Sequence, residues 1–111
     1  MATELVLLSD VPVTLEAQRR ALLRTQGEGQ ILEFRSGEIS TLIGAGDKHL
    51  LTVHAPKVIR VADEAIPALL SPPRSFGLWT EMTVPFGAFE AGRVLADAIA
   101  AEVRGQIEER V

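Results

Sequence analysis

Leu5–Leu8 form an apolar run of four residues that stops at the turn-forming segment SDVPVT. A run without alternation suits a strand covered on both faces, so it predicts a position inside a sheet rather than at its rim. Thr14 stands where a helix N-cap is expected, with Glu16 in the first turn, where the helix dipole favours an anion. The spacing predicts a helix to about Thr25, closed by the glycines of QGEG. Leu15, Leu22 and Leu23 are its expected apolar stripe, and Glu16 and Arg20 pair at i,i+4 on the wet side.

From Gln30 the period switches to two. ILEFR and EISTLI flank Ser36-Gly37, a short hairpin connection, and HLLTV follows the loop G-A-G-D-K. Pro56 interrupts before KVIRV, which reads as the same strand resumed after a bulge, or as an edge strand. ADEAIPALLSPPRSFG carries three prolines and predicts an irregular crossing with one helical turn. LWTEMTV is a further strand, its Leu78, Met82 and Val84 facing the helices and Trp79 facing away. After Pro85 and Gly87 a helix is expected over about Phe89–Gln106, with Val94, Leu95, Ala98, Ile99 and Val103 on one face. Gly92 would allow close packing on the sheet, and Gly105 would mark where the helix frays.

Turn positions fix expected registers. Around Ser36-Gly37, Arg35 faces Glu38, Phe34 faces Ile39 and Leu32 faces Thr41. Around Gly44–Lys48, Ile43 faces His49, Thr41 faces Leu51 and Ile39 faces Val53. One face then collects Leu32, Phe34, Ile39, Ile43, Leu51 and Val53, the concentration a core side needs. The other carries the rows Ile31–Leu42–Leu50, Glu33–Ser40–Thr52 and Arg35–Glu38–His54, apolar at one end and charged at the other. The expected architecture is α+β: a two-layer sandwich with a mostly antiparallel sheet of about five strands (β-α-β-β-β-β-α) and two helices on one face. In element order alone it is similar to ferredoxin-like sandwiches, which host many functions.

Composition narrows the field. The 111 residues fit one domain, and 47% apolar content is enough for a core. A net charge of −4 argues against nucleic acid and anionic membrane as partners. With no cysteine there is no disulfide, thiolate nucleophile or zinc–sulfur site. Glu4 precedes the four-residue run in MATELVLLSD, whereas a signal peptide needs a basic start and about 7–15 apolar residues, so a cytoplasmic protein is expected. Arginine outnumbers lysine nine to two and asparagine is absent, as in GC-rich bacterial genomes.

The loop in LIGAGDKHLLTVH has two glycines spaced G-x-G, but a dinucleotide fingerprint needs a third at His49 and a helix there. A P-loop needs Gly-Lys-Ser or Gly-Lys-Thr opening a helix; only Asp47-Lys48 is present. The loop reads as a hairpin turn whose glycines supply positive φ. His49 and His54 are five apart, so a regular strand points them to opposite faces and no metal site is expected. Glu38, Ser40 and His54 share a face, but Ser40 lies diagonal to His54, about 7–8 Å between Cβ atoms, too far for a nucleophile and its base.

Arg19, Arg20 and Arg24 on the first helix read as a solvated face, and Arg74 in SPPRSF as part of a stiffened connection. No cofactor is expected. What remains is a surface. Leu42, Leu50 and Trp79 predict a partner-binding face on the outer side of the sheet, in a non-enzymatic protein-interaction module of adaptor, regulatory or toxin-neutralising type, self-associating as a homodimer. The alternative is a small-molecule-binding protein or minor enzyme using Arg35, Glu38 and His54.

Overall fold

A computed structural model describes residues 3–35, 38–58, 77–85 and 87–109. Its elements are β1 (Thr3–Ser9), α1 (Leu15–Gln26), β2 (Gln30–Phe34), β3 (Ile39–Ile43), β4 (His49–His54), β5 (Lys57–Val58), β6 (Leu78–Val84), α2 (Phe89–Val103) and β7 (Gln106–Glu109). The strands form one sheet in the order β2-β3-β4-β6-β1-β7, with β5 also on β6, and every pairing is antiparallel. The fold is α+β with α1 and α2, the helices among the described residues, on one face, and its sheet is larger than the five strands predicted. The Ser36-Gly37 turn, the proline-rich crossing and Arg74 lie outside the described residues.

β1 sits between β6 and β7, and its apolar run does not alternate because both of its faces are buried. Leu5 and Leu7 join the helix-side core, while Val6 and Leu8 point to the other face, opposite Glu81 and Trp79, and are also fully buried. β4 and β5 are one strand interrupted. Thr52 faces Thr83 and Lys57 faces Trp79, five residues on against four back, so an extra residue is absorbed around Ala55-Pro56. Proline has no N–H to give a ladder, and the break falls at that residue.

Local signals set the ends of α1. The Thr14 hydroxyl accepts from the Ala17 N–H at 3.1 Å, and Gly27, at φ 68°, donates its N–H to the Leu23 carbonyl. Its buried residues are Ala17, Gln18, Ala21 and Leu22; Leu23, expected on the stripe, is exposed. α2 ends earlier than predicted. Arg104 takes the left-handed conformation as its C-cap, and Gln106–Glu109 leave as β7, not as a last helical turn. Gly105 therefore does not mark a fraying end. A Cβ there would stand 2.6 Å from the Leu8 carbonyl oxygen, so the residue is the close crossing from helix to sheet.

An ion cluster joins the helices. Arg20 Nε is 2.6 Å and Arg24 Nη2 3.3 Å from the Glu102 carboxylate, which is 16% exposed. Arg24 also donates to the Ala98 carbonyl, and Glu16 lies 3.6 Å from both Arg19 and Arg20. Because the arginines are half exposed, solvent screens much of this attraction. Glu102→Gln is expected to cost about 1 kcal/mol of stability, read as a lowered urea midpoint with unchanged slope. An unmoved midpoint would show that the cluster contributes nothing.

Candidate interaction surface

The outcome for the surface residues turns on one irregularity. β2 and β3 pair as predicted, Phe34 opposite Ile39 and Gln30 opposite Ile43. β3 and β4 begin as predicted, Ile43 opposite His49, but the register then shifts: Leu42 faces Leu51, Ser40 faces Val53 and Ile39 faces His54. The extra residue on β4 is a bulge beside Leu50, which places two consecutive leucines, Leu50 and Leu51, on the core side, 2% and 0% exposed. Period two makes a one-residue shift exchange the faces of everything beyond it.

That exchange corrects the expected faces. Leu42 (0% exposed) and Leu50 lie in the core with Leu51, Val53, Met82 and the helices, not on an outer surface. Trp79 does not join them. It pairs with Leu8 and Lys57 on the face away from α1 and α2 and is half buried. The expected trio Leu42, Leu50 and Trp79 is therefore divided between the two sides of the sheet. Conversely, Leu32 and Phe34, expected in the core, are 42% and 50% exposed, and Ile39 and Ile43 are only half buried. These four form the apolar end of the outer face, with Thr41 between the two isoleucines.

The polar candidates are redistributed by the same step. Ser40 is buried opposite Val53, whereas His54 stands opposite Ile39 on the outer face, so the two are on opposite sides. His49 and His54, expected on opposite sides, share the outer face, because the bulge lies between them. His49 Nε2 is 2.9 Å from the Thr52 hydroxyl. Among the described residues no group of three His, Asp or Glu side chains is arranged to hold a metal.

Arg35, Glu38 and His54 are not drawn into one site. Arg35 leaves β2 at φ 52°, in the left-handed region, and its carbonyl accepts the Glu38 N–H at 3.2 Å. No ion pair or hydrogen bond joins the three side chains among the described residues. The G-x-G loop is a hairpin connection, as predicted. Gly46 and Asp47 take φ of 72° and 57°, and the Gly44 N–H donates to the Lys48 carbonyl at 2.8 Å. The arginine row of α1 is largely occupied by Glu16 and Glu102.

Grooves lined by described residues accompany these surfaces. One, of about 240 Å³, runs between α1 and β2, where Arg19, Leu23, Ile31 and Glu33 line it. Another, of about 390 Å³, lies between Lys48 and the first turn of α2, which has no side-chain cap. β2 and β7 are the edges of the sheet among the described strands, and they differ in character. Gln106–Glu109 reads QIEE and ends in two acids; Gln30–Phe34 reads QILEF, with one. No signal in the hairpin sequence could have marked Leu32 and Phe34 as the exposed pair, since β2 is apolar on both faces.

Of the described helices, none is long and apolar enough to cross a membrane. Comparison with protein families, curated proteins and solved structures finds no match to this chain.

Proposed function

We propose that this chain is a non-enzymatic protein-interaction module, of adaptor, regulatory or toxin-neutralising type, acting in the cytoplasm and self-associating through the outer face of its sheet at β2 and β3. The observation that carries the reading is the exposure of Leu32 and Phe34 beside Ile39 and Ile43. Scattered apolar residues are ordinary on a monomer; a contiguous apolar corner is not. Burying one such side chain is worth about 1.5–3 kcal/mol, so a contact covering this corner gains most of its free energy there. Nucleic acid is disfavoured, because the α1 arginines are engaged by Glu16 and Glu102 and the whole chain is acidic.

Sedimentation equilibrium over a hundredfold range of concentration tests the reading. The wild type is expected to approach twice the monomer mass. Phe34→Glu is expected to raise the dissociation constant at least tenfold, because a carboxylate would be buried without a partner. A wild type that remains monomeric throughout, or a dimer indifferent to Phe34→Glu, would overturn it.

A further inference from the structure

The self-association proposed above leaves open how two copies meet, and the edge of the sheet supplies a specific geometry. We propose that β2 pairs antiparallel with β2 of a second copy of this chain, centred on Leu32, so that the two sheets join edge to edge. Among the described strands, β2 is hydrogen-bonded on one side only, by β3. It carries no proline or lysine and no bulge against β3, the devices that usually blunt an edge.

Symmetry restricts the register. In an antiparallel pair with a twofold axis, hydrogen-bonded and open pairs alternate, so the axis must pass through a residue facing its own copy. Centred on Glu33, the pairing sets two carboxylates against each other. Centred on Ile31, it leaves Glu33 and Phe34 without strand partners. Centred on Leu32, it pairs all five residues, Gln30 of each copy with Phe34 of the other and Ile31 with Glu33.

Charge favours the same arrangement. Glu28, Glu33 and Arg35 have no ion partner among the described residues. Read as E-G-Q-I-L-E-F-R, residues 28–35 carry an acid before the strand and a base after it. Antiparallel pairing brings Arg35 of each copy beside Glu28 of the other, twice. Glu33 of each copy also comes across from Ile31, at the rim of the groove that Arg19 lines. Pairing β2 with the acidic β7 of another copy would set Glu108 and Glu109 near Glu28 if antiparallel or near Glu33 if parallel, and would build an open filament. The twofold contact is the one that both closes and balances charge.

The outer face gains from this too. Leu32 would meet Leu32 across the axis and Phe34 of each copy would lie beside Gln30 of the other, so the seam covers the β2 side of each exposed corner. A second copy is therefore a better occupant of this edge than an unrelated strand.

Cysteine trapping tests the geometry, and the chain has no cysteine of its own to interfere. Across the axis the two Leu32 Cα atoms would be about 4.5–5.5 Å apart, inside the disulfide range. The two Phe34 Cα atoms would be about 13 Å apart, outside it. With oxidised glutathione as oxidant, its disulfide being reduced to two thiols as the cross-link forms, Leu32→Cys is expected to cross-link at least tenfold faster than Phe34→Cys, at concentrations where the wild type is dimeric. Phe34→Cys cross-linking as fast, or neither variant cross-linking in a wild type shown to be dimeric, overturns the strand pairing while leaving the self-association standing. A wild type that is monomeric by sedimentation overturns both.

Discussion

Leu42→Ala is expected to remove about 2–5 kcal/mol from the stability of this chain, the usual cost of emptying a buried leucine site. Leu42 is wholly inaccessible, opposite Leu51 and packed in the same cluster as Leu50, Val53 and α2. The loss combines the transfer free energy of three carbon atoms with a cavity that a strand held between β2 and β4 cannot collapse to fill. Phe34→Ala is the informative companion. Its ring is half exposed, so truncation should cost about 1 kcal/mol or less in the monomer and show itself in the mass of the protein instead. Urea unfolding of both variants at low protein concentration checks the pair. A larger loss for Phe34→Ala than for Leu42→Ala would mean that the bulge beside Leu50 does not exist and that the faces of β2 and β3 are exchanged.

Gly92→Ala should destabilise by about 1–3 kcal/mol even though alanine is the better helix former. In an open helix the change gains about 1 kcal/mol. Here the added Cβ would stand 2.5 Å from the Leu50 carbonyl oxygen and 2.6 Å from Val84 Cγ1. The first of these is strand backbone, fixed in the middle of the sheet, so α2 itself would have to move outward and loosen its contacts along β4 and β6. Overpacking of that kind costs about 1–3 kcal/mol or more and outweighs the propensity term. Thermal or urea unfolding is the measurement. A neutral or stabilising Gly92→Ala would place α2 farther from Leu50 than its contact with the sheet requires. The role expected of Gly92 in the sequence, close packing on the sheet, holds.

The two substitutions lie on either side of one structural fact. Leu50 gives its carbonyl to the contact with Gly92 and its side chain to the core beside Leu42. The bulge is thus fixed by the helix above it as much as by the strands beside it. It also decides which residues remain for a partner, because Leu32 and Phe34 face outward only when Leu42 faces inward.

What the sequence by itself determined was local. The Thr14 cap, the Gly27 stop, the first pairs around each turn and the break at Pro56 all follow from interactions spanning a few residues, where backbone sterics and capping dominate. Only the tertiary structure decided the faces. QILEF has apolar residues at Ile31, Leu32 and Phe34, and HLLTVH places two leucines together, so both phases of a period-two pattern bury similar area. The choice falls to α1 and α2, distant in sequence, whose small and branched residues cover one side and accept both Leu50 and Leu51. β7 escaped for a related reason: four residues are too few to show alternation, and Gln106–Glu109 becomes a strand because β1 has an edge to offer it.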